Sequence, residues 1–208
     1  MPLDAVPVFP LPGVVLLPDQ RMPLHIFEPR DRAMVRDALG SHGWMVVCPV
    51  VGDPDADPPA IPAVATAGRI VAHQQLPDGR FNILVEGMVR VRLEELPFVP
   101  PYRRARPTAL PEPDDAAVAP VERAGMLSTL SSLLRVVRES RPQFEFAVPT
   151  ELPSSRLALR LVDRFVIDPA TRQRALEAER GIDRVTLATE ALADLWTAGE
   201  TLRAVGSA

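Results

Sequence analysis

The spacing of apolar residues changes from a strand period to a helix period partway along this chain of 208 residues. In the first half, stretches such as FNILV and VRVRL largely alternate between two faces, which is typical of strands with one buried side. In the second half, Leu127, Leu130, Leu134 and Val137 recur at the spacing of one helical face. The sequence therefore predicts an α+β fold in which a β-rich lobe precedes a helical lobe.

The segment PTALPEPDDAAVAP (107–120) separates the two patterns. It contains four prolines and three acidic residues, and this composition is typical of a linker because proline stiffens the chain and acidic side chains stay solvated. We therefore predict a β-rich lobe at 1–106, a linker at 107–120 and a helical lobe at 121–208.

Several short elements are predicted inside the first lobe. The runs VPVFP, VVLLP and WMVVCPVV indicate strands. Pro29 and Gly40 bracket a helical pattern and predict a helix over 29–39. Glycine ends the turn signals PDG (77–79) and EG (86–87), which together predict a three-stranded antiparallel meander.

Four helices are predicted in the second lobe. The leucine pattern indicates the first from about 120 to 139, and PSS (153–155) precedes the second. Asp168 and Pro169 are typical of an N-cap and a first helical residue, so they open the third. Asp183 is predicted to cap the fourth.

All 23 basic residues of the chain are arginine. Lysine supplies the phosphate contact of a GxxxxGK[ST] loop and the general base of a serine-lysine dyad, so the sequence excludes both kinds of site. The patterns GxSxG, HExxH and CxxC are also absent. We therefore predict no catalytic residue and no cofactor, and we interpret the chain as a non-enzyme.

Composition also bears on the compartment and the partners. Cys48, the one cysteine, lies in an apolar run and is predicted to be buried and inert. Residues 1–20 lack the features of a signal peptide, and no apolar run approaches the ~18 residues of a membrane span. These features predict a cytoplasmic protein without a membrane partner. The formal charge of −4 disfavours bulk binding of nucleic acid.

An acidic loop resembles part of a calcium-binding loop. Asp53, Asp55 and Asp57 occupy alternate positions, as calcium ligands do. The sixth position, however, is Pro58 instead of glycine, and the twelfth is Val64 instead of glutamate. We therefore predict a solvated loop and no metal site.

The histidines give no stronger signal for catalysis. His25, His42 and His73 are spread over separate segments, and only His25 has a nearby carboxylate, Glu28 in LHIFEPR. An acid-base or metal role would need further partners that only the fold could bring together. We interpret this pair as structural.

PYRRARP (101–107) is the one basic cluster, and the arginines of VRVRL could extend it across the sheet. Such a strip could contact RNA phosphates, with Tyr102 stacking on a base. Alternatively, its arginines pair with Glu86, Glu94 and Glu95 on a solvent face and protect an edge strand from aggregation. The residues of this arginine strip are Arg90, Arg92, Tyr102, Arg103, Arg104 and Arg106.

Three stretches, in this order, resemble the N-terminal, substrate-binding domain of ATP-dependent Lon proteases. They are VPVFPLPGVVLLPDQRMPLHIFEPRDRAMV, GRIVAHQQLPDGRFNILVEGMVRVRL and RQRALEAERGIDRVTLATEAL, and the resemblance covers roughly residues 5 to 200. It implies a PUA-like β pseudo-barrel with short helices, followed by an α-helical bundle. It also implies a stand-alone member of the family, because the ATPase and peptidase segments of the full proteases are missing.

The resemblance implies a polypeptide-binding module that acts in protein quality control or as an adaptor. Its ligand would be an unfolded polypeptide or a protein partner, and RNA binding by the arginine strip is the alternative. Met22, Leu24 and Phe27 would form an exposed apolar grip or, alternatively, fill the barrel core, and the core is the interpretation favoured for Phe27. The predicted binding residues are Met22, Leu24, Glu28, Pro29 and Arg30.

Overall fold

The computed structural model describes residues 4–206 apart from 54, 55 and 57. In it, the first half of the chain, where apolar and polar residues alternate, folds into six strands and one helix. These elements belong to the first of two compact units, residues 1–111 and 112–208. Helix α1 spans Pro29–Gly40, close to its predicted bounds. The strands are β1 (Val6–Pro10), β2 (Arg21–Ile26), β3 (Trp44–Cys48), β4 (Val64–Gln75), β5 (Phe81–Glu95) and β6 (Arg103–Ala109).

The strands form one sheet in the order β2-β5-β4-β3-β1-β6, and β5 also pairs with β6. This last pairing closes a circuit of five strands, from β5 through β4, β3, β1 and β6 back to β5. The length of β5 makes closure possible: its first half pairs with β2, its last residues pair with β6, and β4 follows it along most of its length. Pairing is antiparallel except between β1 and β3.

The predicted turn at residues 86–87 is wrong. Strand β5 runs without interruption through Glu86 and Gly87, so the predicted meander is a two-stranded hairpin of β4 and β5. Its turn is the one predicted at 77–79, where Gly79 has a φ of +82° and donates to the Leu76 carbonyl at 2.9 Å.

Gly87 is required by a close backbone approach instead of a turn. It pairs with Gly68 at a register shift between β4 and β5. A Cβ atom on Gly87 would lie 2.2 Å from the Leu17 carbonyl oxygen. The Gly87 carbonyl accepts from the Asp19 N–H, and its own N–H donates to the Gln20 carbonyl, both at 2.8 Å. The chain around residue 17 is therefore fastened to the middle of β5.

This crossing also explains why VVLLP is not a strand. Residues 14–18 have no regular structure, so that prediction is wrong. Val15, Leu16 and Leu17 are nevertheless buried, because the segment crosses β5. Leu16 joins a core cluster that contains apolar residues of α1, β3, β4 and β5.

The second unit consists of four helices in the described residues: α2 (Pro120–Ser140), α3 (Ser154–Phe165), α4 (Pro169–Glu177) and α5 (Gly181–Gly206). Asp168 caps α4 by accepting from the Thr171 N–H at 2.8 Å, as predicted. Asp183 is not a cap, because α5 begins two residues earlier and Asp183 instead pairs with Arg180. None of the helices in the described part of the chain combines the length and the apolar content that a membrane span requires.

The predicted linker contains the end of a strand. Residues 107–109 continue β6 and pair with β5, and Pro107 is buried. Residues 110–119 contain no helix or strand and lead to α2.

Cys48 is expected to resist thiol reagents while the chain is folded. The side chain is fully buried, and this burial raises the pKa of the thiol to about 12, so little reactive thiolate forms near neutral pH. Ellman's reagent should give negligible absorbance with the native chain at mildly alkaline pH and one equivalent of thiol in denaturant. Fast labelling of the native chain would contradict this placement.

Candidate functional site

A groove on the first unit, here called the α1 groove, opens beside the start of α1. Its volume is about 360 Å³, which lies within the range of ligand-binding pockets. The lining is mostly apolar and aromatic, with charged side chains from α1 and β6. It consists of Val8, Phe9, Pro10, Arg30, Asp31, Pro58, Pro59, Phe98, Pro101, Tyr102 and Arg103.

The segment LPFVPPY (96–102) builds one wall of the α1 groove. It joins β5 to β6 and is held by an antiparallel bridge between Val99 and Tyr102. Its prolines cannot donate to a ladder, so the segment stays outside the sheet. The Phe98 side chain remains 61% exposed at the edge of a concave apolar surface. An exposed aromatic ring in this position is available to a ligand.

Polar contacts hold the walls in place. The Tyr102 hydroxyl donates to Asp37 on α1 at 2.7 Å, and burial together with this hydrogen bond raises the pKa of Tyr102 to about 12. The Arg103 guanidinium donates to Glu95 at 3.2 Å and to the Pro59 carbonyl. These bonds connect the wall to α1, to β5 and to the loop at 58–59.

The α1 end of the groove carries a small charged cluster. Arg30 lies 3.0 Å from Glu28 and 3.7 Å from Asp31. Burial raises the pKa of Asp31, the neighbouring Glu28 raises it further, and Arg30 opposes both. With two carboxylates and one guanidinium, this cluster is net negative when ionised.

The structure does not present Met22 and Leu24 as a fully exposed apolar grip. Met22 and Leu24 are only partly exposed and pack against the core of the first unit, because alternate residues of β2 point inward together with Ile26. Phe27, assigned to the core, is 60% exposed and stacks on His25 with ring centroids 6.3 Å apart. The same alternation, continued one residue past Ile26, places Phe27 on the outward side with Arg21, Pro23 and His25.

The three predicted residues at the start of α1 have different positions. Pro29 is the exposed first residue of the helix, and Glu28 precedes it as the N-cap residue without a capping side-chain bond. Arg30 is the one of the three that lines the α1 groove. Tyr102 and Arg103, predicted as part of an RNA-contacting strip, line the same groove.

The arginine strip does not form one basic surface. Arg90 is 4% exposed and donates to the Pro111 carbonyl at 2.6 Å, so its prediction as a surface contact is wrong. Arg106 pairs with Glu94 at 3.0 Å. Adjacent residues of β6 point to opposite faces, which separates Arg103 from Arg104 and Arg106. Arg92 is exposed on β5. The geometry therefore does not favour the RNA alternative.

The polar residues considered for catalysis have structural partners. His25 Nδ1 lies 2.7 Å from Asn82 Oδ1, and Arg80 lies 3.2 Å from Nε2, so Glu28 is not the bonded partner that the sequence suggested. Within the described residues, no three acidic, histidine or cysteine side chains are grouped as metal ligands would be. Asp55 and Asp57 of the acidic loop lie outside the described residues.

Sequence reasoning missed the most exposed part of the groove. Phe98 and Pro101, together with Pro58 and Pro59 across the groove, had no assigned role. A usable signal was present in LPFVPPY, where apolar side chains alternate with prolines that exclude a central strand. An apolar loop of this kind cannot bury its side chains in a sheet, which makes it a candidate surface.

Comparison with known proteins agrees with this architecture. Residues 5–194 match the family described as the ATP-dependent protease La (LON) substrate-binding domain. The Lon protease of Trichlorobacter lovleyi is 28% identical over 197 residues, which cover 91% of this chain and 24% of that protein. Lon protease 2 of Sorangium cellulosum is 31% identical over 112 residues, covering 52% of this chain and 14% of that protein. The chain thus spans about a quarter or less of the length of these relatives.

Two solved structures share the fold. The N-terminal domain of the Mycobacterium avium complex Lon protease superposes with a TM-score of 0.66 at 18% identity, covering 93% of this chain and 98% of that one. The Lon N-terminal domain protein from Xanthomonas campestris gives a TM-score of 0.64 at 20% identity, covering 88% and 96%. The predicted α+β class is confirmed, and the match over most of the sequence shows that this chain belongs to the family of Lon substrate-binding domains.

Proposed function

We propose that this chain binds short apolar segments of non-native polypeptides in the α1 groove. The observation that carries the proposal is Phe98, a ring that is 61% exposed at the edge of a groove that also contains Phe9 and Tyr102. A large apolar side chain on such a concave surface gains free energy when a ligand removes it from water. The family assignment supports a substrate-binding role.

The groove favours recognition by side-chain character instead of by sequence. Its apolar walls would accept one or two large side chains, and prolines fix the wall geometry before binding, which limits the entropy lost in the complex. The net negative cluster around Arg30 would favour segments whose flanks are neutral or basic. Arg30 would contact the bound segment and Glu28 would act through its ion pair with Arg30, whereas Pro29 would act only by starting α1 and Met22 and Leu24 only by supporting β2.

The wider role proposed for the chain follows from this module. It would hold substrate polypeptides in protein quality control or as an adaptor, without catalysis of its own. The closed strand circuit is consistent with a PUA-like pseudo-barrel in the first lobe, and the four helices with a bundle in the second. We propose the same two lobes, with the first extended from the predicted end at 106 to the end of β6 at Ala109 and the second kept at 121–208.

Replacing Phe98 with aspartate is expected to weaken polypeptide binding at least about tenfold. The substitution removes a ring whose burial contributes about 1.5–3 kcal/mol and adds a charge beside a negative cluster. Fluorescence anisotropy with a labelled, unstructured peptide that carries large apolar side chains between lysine-containing flanks would measure the change.

A matched control is Val121→Asp. Val121 is 73% exposed at the start of α2, where an acidic residue is compatible with the helix dipole. This variant should bind as the wild type does. Equal binding by wild type and Phe98→Asp, with circular dichroism showing both folded, would disprove the proposed site.

A further inference from the structure

The second unit has a groove of its own, which the polypeptide-binding proposal does not use. We call it the α2 groove. Its volume is about 660 Å³, and it is lined by two helices, the loop after α2 and the end of α3. The lining residues are Leu133, Val136, Val137, Ser140, Arg141, Phe144, Arg164, Phe165, Leu195 and Gly199.

The floor of the α2 groove is a helical face. Its four α2 residues, between Leu133 and Ser140, recur at the spacing of adjacent helical turns. Gly199 allows α5 to lie close to this face, since a Cβ atom there would be 2.9 Å from Val136 Cγ1. The floor is therefore apolar and extends for about 10 Å along α2, at about 1.5 Å per residue.

One wall of the α2 groove is aromatic. Phe165, at the end of α3, packs against Phe144 with ring centroids 6.2 Å apart and against Phe146 at 5.2 Å. The Phe144 ring also carries the Arg164 guanidinium 5.0 Å above its centroid. Arginine stacked on a ring in this way keeps its N–H edge directed outward, where it can donate to a carboxylate.

The charge of the lining has one sign. Arg141 and Arg164 are its charged residues, and neither forms an ion pair with a carboxylate in the described part of the chain. Arg172, on the same unit, instead lies 3.0 Å from Asp163. The lining of the α2 groove is therefore positively charged, although the whole chain has a net charge of −4.

We propose that the α2 groove binds an amphipathic helix whose apolar face carries flanking carboxylates. The apolar side chains would contact the floor between α2 and α5, and the carboxylates would accept hydrogen bonds from Arg141 and Arg164. The length of the floor fits about two turns of a partner helix. Charge complementarity distinguishes this partner from the neutral or basic segments favoured by the α1 groove.

Two labelled synthetic helical peptides would test the proposal on the full chain. Both would carry leucines at helical spacing, flanked by glutamates in one and by lysines in the other. Fluorescence anisotropy should show that the acidic peptide binds at least about tenfold more tightly, as expected from two charge-assisted hydrogen bonds. The double charge reversal Arg141→Glu with Arg164→Glu should remove this preference or invert it.

Two control variants separate this site from other causes. The double variant Arg160→Glu with Arg174→Glu makes the same charge change on α3 and α4 outside the α2 groove and should leave acidic-peptide binding unchanged. Phe98→Asp should also leave it unchanged, so a failure of the α1 groove would be distinguishable from a failure here. The peptide comparison is made in the Phe98→Asp background, which removes the α1 groove as a competing site for the lysine-flanked peptide. In that background, equal binding of both peptides, no binding of either, or an unaltered preference after the folded double charge reversal would overturn the proposal.

Discussion

Replacing Gly87 with alanine is expected to lower the free energy of unfolding of the first unit by about 3 kcal/mol, the upper end of the usual cost of overpacking. The new Cβ atom would lie 2.2 Å from the Leu17 carbonyl oxygen and 3.2 Å from Thr66 Cγ2. Leu17 cannot retreat easily, since hydrogen bonds from Asp19 and to Gln20 fasten its segment to Gly87. Relief would require breaking at least one of these bonds.

Gly40→Ala is the matched control for this substitution. Gly40 ends α1 in the same unit and has no positive φ, and a Cβ atom added to it would have no neighbour within 4 Å. Alanine should therefore change stability by less than about 1 kcal/mol. Urea denaturation in a Trp196→Phe background would follow the first unit through Trp44. A Gly87→Ala protein as stable as the Gly40→Ala protein would contradict the close approach.

Arg184→Ala is expected to destabilise the second unit by about 3 kcal/mol, because it removes hydrogen bonds and leaves a cavity where a large buried side chain was. The Arg184 side chain is fully buried. It donates to the Ala175 carbonyl at 2.9 Å, near the end of α4, and to Glu112 at 3.3 Å. Truncation would remove both donors and leave space inside the unit.

The exposed ion pair of Arg180 provides the comparison. Arg180, which directly precedes α5, forms a surface ion pair with Asp183 in the first turn of α5. Arg180→Ala should therefore shift the denaturation midpoint little. Trp196 fluorescence in a Trp44→Phe background would follow the second unit. Arg184→Met would separate packing from hydrogen bonding, because methionine restores much of the volume without the donors. If Arg184→Ala and Arg180→Ala shifted the midpoint equally, the proposed importance of the buried contacts would be wrong.

Helix starts were the most predictable part of the fold. Pro29 and the pair Asp168 and Pro169 specify a local geometry that needs no distant partner, because the missing N–H of proline and the capping carboxylate act within one turn. Asp183 failed as a cap for the complementary reason. Its carboxylate has a stronger partner in Arg180, and α5 starts at Gly181.

The candidate binding surface was only partly predictable. Arg30 lies at the start of α1, as predicted, and lines the α1 groove, while its part in binding stays a prediction. Phe27 was assigned to the wrong side and Leu24 packs against the core, because the pairing of β2 with β5 decides which alternate residues face inward. Phe98 was missed because its exposure depends on the wall that residues 96–102 form against α1 and β1.

The amino-acid sequence by itself determined the α+β class, the division into strand-rich and helix-rich halves and most helix starts, because these depend on apolar period and on residues within a turn of one another. Only the tertiary structure decided that Gly87 serves a backbone crossing, that Arg90 and Arg184 are buried, and that Tyr102 joins Arg30 in one groove. Each of these depends on residues far apart in sequence. The neighbouring residues in sequence are the same whether such a side chain is buried or exposed. The distant residues that folding brings next to it therefore decide which of the two occurs.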